Sequence, residues 1–242
     1  MAEPRSPLVV IPAFNEEGAL PDVLAELRRA FPEMELLVVD DGSTDRTREV
    51  AAHGGATVLP LPFNLGVGGA LRAGFRFAVD NGYERVVQLD ADGQHDPVAV
   101  RRLLEGLDGG ADLVIGNRFG EGMPTYDVGA ARGMAMGLLR VLVRLVSGTR
   151  VRDTTSGFRA FGPRALDLFS RQLSVEYMGD TVEALLLAVR AGLQVEEVPA
   201  AMRPRVAGEP SHRSLRLVYR YLSALLVIFV NAGRPSKVEP EP

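Results

Sequence analysis

The sequence predicts an α/β fold in which a parallel sheet carries helices on both faces. Three observations predict it. Runs rich in leucine and β-branched residues, at positions 8–11, 36–39, 57–59, 86–89 and 113–115, have strand length and little polarity. Between them, residues 20–30, 46–52, 70–79 and 97–107 repeat apolar side chains at intervals of three and four, the mark of amphipathic helices. Polar clusters then follow the strands directly: Pro-Ala-Phe-Asn-Glu-Glu at 12–17, Asp-Asp-Gly-Ser-Thr-Asp at 40–45, Asp-Ala-Asp-Gly-Gln-His at 90–95 and Gly-Asn-Arg-Phe at 116–119. In such sheets ligands bind beyond the carboxyl ends of the strands, where loops converge and helix N-termini point inward. Four polar loops on one edge predict a site.

Asp45 and Asp96 stand as N-cap residues, the second followed by Pro97 at the first helical position. Beyond Gly120 the pattern changes. Residues 122–129 read as a loop and 130–146 as a helix with a broad apolar surface broken by Arg132, Arg140 and Arg144. Residues 153–161 read as a polar loop entering a short strand, 181–190 as a helix, 193–198 as a strand and 214–230 as a final apolar helix. No repeat and no linker between two cores is visible. One domain over 1–212, a helical appendage over 213–232 and a disordered Pro-rich tail over 233–242 are expected.

Composition narrows the chemistry. The 242 residues carry 27 basic and 31 acidic side chains, a formal charge of −4, with 46% apolar residues, which describes a globular domain. Cysteine is absent, which excludes disulfides, thiolate metal sites and a cysteine nucleophile. His53, His95 and His212 are too scattered for a histidine site, so a metal would be a hard cation held by oxygen, magnesium or manganese. The start lacks the basic and long apolar stretches of a signal peptide, so a cytoplasmic location is expected. The longest apolar run, residues 222–230, is about half of the roughly 20 residues that span a bilayer. Global charge argues against nucleic acid. Yet Arg203, Arg205, Arg213, Arg216 and Arg220 face only Glu209 between positions 199 and 220, which points to a local anionic partner.

The loops carry the functional signal. Asp90 and Asp92 flank Ala91 at the end of a strand, where alternate side chains share a face, and two close carboxylates are costly without a cation or proton between them. Gln94 continues that parity with an amide oxygen. The arrangement suits a divalent ion completed by nucleotide phosphates, and it also suits a solvated turn capping the next helix. One carboxylate of the Asp40-Asp41 pair suits a ribose or base edge, and the same motif suits a plain turn. Gly66-x-Gly68 opens a dinucleotide-like fingerprint, but Leu71 replaces the third glycine and the motif follows the third strand. These glycines fit a close approach of helix and strand better than hydride transfer.

Residues 10–17 (Val-Ile-Pro-Ala-Phe-Asn-Glu-Glu), 40–45, 64–69, 90–97, 116–119 and 153–159 (Asp-Thr-Thr-Ser-Gly-Phe-Arg), in this order, resemble a family 2 glycosyltransferase of the GT-A fold. The likeness is to the dolichol-phosphate-mannose synthase and polyprenyl-phosphate glycosyltransferase branch, over residues 7–230. It implies a mixed, mainly parallel Rossmann-like sheet. It also implies roles: Pro12, Phe14 and Glu16 in a nucleotide-binding loop, Phe14 standing where tyrosine is common; Val39 and Asp41 at base and ribose; Asp90, Ala91, Asp92 and Gln94 at metal and diphosphate; Arg118 at a phosphate. Arg205 with Gly208-Glu209 resembles a phosphate-binding stretch, with Pro210 intruding and His212 or Arg213 in place of a lysine.

The activity so implied is inverting transfer of a hexose from a nucleotide-diphosphate sugar to a polyprenyl phosphate, with Mg2+ or Mn2+ as cofactor. The metal and arginines would offset charge on the departing diphosphate. An acceptor monophosphate is already anionic, so positioning matters more than proton removal. Asp153 matches a carboxylate near the acceptor, in an orienting or base role; its spacing equally suits a turn aspartate. Arg132 would grip the acceptor phosphate or be a solvated helix arginine. The helices at 130–146 and 213–232 would lie at the inner membrane surface, or pack on the core or a second subunit, and a small membrane partner protein is expected for members lacking transmembrane helices. The same donor site would serve transfer to a soluble glycan or protein, or non-catalytic nucleotide-sugar binding.

Overall fold

The computed structural model describes residues 5–118, 137, 151–154, 156–173 and 180–203. The expected helices at 130–146 and 213–232 and the tail lie outside these residues, apart from Gly137. Among the described residues seven strands form one sheet: β1 (Leu8–Ala13), β2 (Glu35–Asp40), β3 (Thr57–Pro60), β4 (Val86–Gln88), β5 (Leu113–Asn117), β6 (Arg159–Phe161) and β7 (Val195–Pro199). Their order is β3-β2-β1-β4-β6-β5-β7. Every pairing is parallel except those of β6, which runs antiparallel to both β4 and β5. The plain alternation of strands and helices predicts only the parallel part. The mixed, mainly parallel sheet is the one the family resemblance implies.

Alternate residues of each central strand enter opposite cores, as a pleated strand requires. Val9 and Ile11 of β1 and Leu36 and Val38 of β2 pack with α1 (Leu20–Ala30), α2 (Thr47–His53) and α4 (Ala99–Asp108). Leu8, Val10, Leu37 and Val39 pack on the other face with α3 (Gly66–Asp80), α5 (Pro163–Gln172) and α6 (Asp180–Arg190). Burial on both faces explains the unbroken apolar runs of β1 and β2. Phe75 of α3, Phe161 of β6 and Phe169 of α5 form an aromatic cluster, with ring centroids 4.6 Å apart for the first pair and 5.6 Å for the last two. It fastens the short antiparallel strand to its helices.

Three local differences from the expected elements have plain causes. Helix α3 starts at Gly66 rather than at 70, because the Asp41 carboxylate accepts the Leu65 and Gly66 amides at 2.7 and 2.9 Å and so satisfies donors at the helix start. Gly74 of this helix lies against β1 and β2: a Cβ there would meet Val10 Cγ1 at 2.6 Å. Helix α4 opens at Ala99, so Asp96 and Pro97 form the turn before it instead of N-cap and first helical residue; their carbonyls accept the Ala99 and Val100 amides at 3.0 and 2.9 Å. Helix α5 is unanticipated, although Pro163 at its start and buried Ala165, Leu166 and Phe169 carry its signal.

Candidate active site

The chain leaves β1 toward β2 and β3 on one side and returns to β4 on the other, so the crevice at the carboxyl ends of β1 and β4 is the topological switch point. Four parallel strands, β1, β2, β4 and β5, deliver their following loops to this edge. Strand β6 runs the other way, so the loop that precedes it, residues 151–158, arrives at the same edge. The reversed strand β6 therefore brings Asp153 to this edge.

The loops after β1 and β2 are laced together. Asn15, in the left-handed region at φ 54°, donates its amide to Ser43 Oγ at 3.0 Å and accepts the Thr44 amide on Oδ1 at 2.9 Å. The Glu16 amide donates to Thr47 Oγ1 at 2.8 Å, and Glu17 accepts the Arg46 amide at 3.0 Å. Asp45 accepts the Glu17 and Thr47 amides, and these bonds with the Thr47 hydroxyl outweigh burial and lower its pKa. Gly42, at φ +74°, lets this turn lie on residues 63 and 64; a Cβ would meet Asn64 N at 2.8 Å. Phe14 is exposed on the rim and Pro12 is half-buried. Val39 is fully buried in the core, so its side chain offers no surface to a ligand. Asp41 is buried as well; burial raises its pKa more than the Leu65 and Gly66 amides lower it.

The loop after β4 holds the two acids. Asp90 is half-buried and Asp92 buried, the latter accepting the Gln94 amide on Oδ1 at 3.0 Å, while Ala91 turns into the core. His95 lies stacked on Phe158, centroids 4.7 Å apart, and its Nδ1 accepts the Asp90 amide at 3.2 Å with Nε2 3.7 Å from Asp90 Oδ2. Gly157 borders Asp90, whose carboxylate oxygens would lie 3.3 Å from a Cβ there. Gln94 Nε2 donates to the Arg203 carbonyl at 3.4 Å. Among the described residues no three acidic or histidine side chains form a metal cluster. Two hard carboxylates on one short loop nevertheless fit a divalent ion, whose remaining ligands would have to come from elsewhere.

Arg118 and Asp153 meet in a fork: Nε to Oδ2 at 2.7 Å and Nη2 to Oδ1 at 2.8 Å, with the Arg118 amide also donating to Oδ2 at 3.1 Å. Only 10% of the Arg118 side chain and none of the Asp153 side chain is exposed. Sequence reasoning assigns these residues separately to a phosphate and to the acceptor; the structure pairs them. It also brings in Glu197 of β7, which sequence reasoning missed. Glu197 accepts the Arg152 and Asp153 amides at 2.8 and 2.7 Å, and burial holds its pKa above the usual carboxylate range. An ionisable side chain in a strand beside a polar loop was its only signal. Arg132, Arg205 and His212 lie outside the described residues.

Residues 8–169 match the family model described as Glycosyl transferase family 2. The chain is 37% identical over 210 residues to an undecaprenyl-phosphate mannosyltransferase of Micrococcus luteus, covering 84% of this chain and 85% of that one. It is 32% identical over 209 residues to a polyprenol monophosphomannose synthase of Mycolicibacterium smegmatis, covering 83% and 78%. A glucosyl-3-phosphoglycerate synthase of Mycobacterium tuberculosis, solved with Mn2+, uridine diphosphate and phosphoglyceric acid, has a similar fold, with a TM-score of 0.70 at 23% identity over 96% of this chain and 80% of that one. The fold, the ordered loops at its switch point and these matches together establish that the chain belongs to glycosyl transferase family 2.

Proposed function

We propose that this glycosyltransferase moves a hexose, with inversion, from a nucleoside diphosphate sugar to a polyprenyl phosphate. The fork between Arg118 and Asp153 carries the reading. Both Asp153 oxygens accept N–H groups of a buried arginine, which suits a carboxylate that orients and not one that removes a proton. An alcohol acceptor needs a base; a phosphate monoester oxygen is already anionic near neutral pH and needs only alignment. The two relatives named for polyprenyl-linked mannose transfer support the same acceptor class.

Asp90, Asp92 and the amide oxygen of Gln94 would hold Mg2+ or Mn2+. When bound, the cation neutralises charge on the departing diphosphate. Pro12, Phe14, Glu16, Asp41 and the Asp90-Ala91-Asp92 loop frame the nucleotide, while Val39, fully buried between β1 and β3, supports that floor from below. Arg132, Arg205 and His212 would bind the acceptor phosphate, while the Arg118 guanidinium, forked on Asp153, is largely neutralised and fixes that loop. The acceptor oxygen forms a bond to the anomeric carbon from the side opposite the diphosphate, whose bond to that carbon breaks. Among the described residues no helix is long and apolar enough to cross a membrane. Contact with the inner membrane surface through residues 130–146 and 213–232, with a small membrane partner or a second copy, belongs to the same proposal.

The test is incubation with labelled UDP-, GDP- and TDP-sugars, Mg2+ or Mn2+, and either a short prenyl phosphate or the matching prenyl alcohol. Organic-phase product with the phosphate alone is expected. No such product with any donor, or equal product with the alcohol, defeats the reading.

A further inference from the structure

Two loops at the carboxyl edge are tied directly to one piece of chain, the end of β7 and the residues after it, and the loop after β5 is tied to it through one of them. Met202 forms an isolated antiparallel bridge with His95, and the Arg203 amide donates to the Gln94 carbonyl at 2.8 Å. The Arg203 guanidinium reaches Asp96 at 3.0 Å and Glu26 at 2.7 Å. On the other side Glu197 receives the Arg152 and Asp153 amides, one on each carboxylate oxygen, at 2.8 and 2.7 Å. A carboxylate that accepts two successive amides fixes the backbone in position and orientation, and such charge-assisted bonds are about twice as strong as neutral ones. Asp153 then holds the Arg118 amide and guanidinium. Strand β7 is itself in parallel register with β5, which ends one residue before Arg118, with Ile115 opposite Glu197 and Asn117 opposite Pro199.

We propose that Glu197 is a positioning residue for the transfer: it clamps the Arg152-Asp153 backbone so that the Asp153–Arg118 fork is held in register with the Asp90–Gln94 loop. The consequence for transfer rests on placing Asp153 beside the acceptor; the clamp itself does not. Burial makes an ionised Glu197 costly, and the two amide bonds offset part of that cost. A glutamine cannot reproduce the clamp, because its amide nitrogen would face one backbone donor with another donor.

The experiment compares Glu197→Gln, Glu197→Asp and the neighbouring exposed Glu196→Gln in the full chain. Backbone amide exchange is followed by NMR, and rates are measured with nucleotide sugar and a prenyl phosphate. In Glu197→Gln, exchange at Arg152 and Asp153 should accelerate at least about 10-fold and kcat should fall about 10- to 100-fold, while donor KM stays within about 2-fold. Glu197→Asp should recover part of both, and Glu196→Gln should match the parent. Unchanged exchange at the two amides overturns the proposal. So does a loss in which kcat and donor KM worsen together and equally in the Asp and Gln variants, the signature of a general structural defect. If the parent transfers nothing to prenyl phosphate, the acceptor reading fails, while amide exchange still decides whether Glu197 clamps the loop.

Discussion

The Arg118–Asp153 fork makes the sharpest energetic prediction. Replacing Asp153 with Asn leaves a guanidinium that is 10% exposed facing a neutral amide, and it weakens the bond to the Arg118 main-chain amide. Breaking a buried pair by removing one partner costs about 3–5 kcal/mol, against about 0.2–1 kcal/mol for an exposed pair. Asp153→Asn should fall in the upper part of the buried range. Arg118→Met should cost about 3 kcal/mol, because the carboxylate keeps its bond from the Arg118 amide. The double variant should cost less than the sum, with a coupling of about 2 kcal/mol. Equilibrium urea denaturation measures all four chains, and equal m-values show that the unfolding reaction is the same. A coupling below about 0.5 kcal/mol would mean that the pair behaves as a solvated one. The argument for an orienting Asp153 would then fail with it.

Three further outcomes are expected. Gly74→Ala places a Cβ 2.6 Å from Val10 Cγ1; overpacking of about 1–3 kcal/mol exceeds the roughly 1 kcal/mol gain in helix propensity, so the denaturation midpoint should fall and Val10→Ala should restore part of it. Burial, reinforced by the 2.6 Å bond to Glu35, pushes the Tyr83 phenol up to about 12. The folded chain therefore holds this proton more tightly than the unfolded chain does. That contribution is fully present below about pH 10 and is lost as pH rises toward 12, on the order of 2 kcal/mol, a slope that Tyr83→Phe should remove. Asp92→Asn keeps an oxygen for the Gln94 amide and removes the charge that a metal would need. Activity should fall at least about 100-fold, and the donor-induced rise in melting temperature in Mn2+ should disappear; an undiminished rise counts against a metal at Asp92.

The sequence by itself determined the elements whose signals are local: the apolar runs that became β1, β2, β4 and β5, the three-and-four periodicity of α1, and the acidic loops that directly follow strands. It also set Asp90 and Asp92 two residues apart at a strand's end, since that proximity is covalent. Helix α5 was not anticipated: Pro163 and the apolar spacing of Ala165, Leu166 and Phe169 carry a signal, but its ten residues stand among elements of mixed pattern. Only the tertiary structure decided what lies far apart in the chain. Arg118 finds Asp153 across 35 residues because β6 reverses direction between β4 and β5, and Asp153 finds Glu197 across 44 because β7 aligns with β5. Hydrophobic burial is non-directional and leaves a pattern along the chain, whereas these bonds depend on sheet order and register, which no stretch of neighbouring residues encodes.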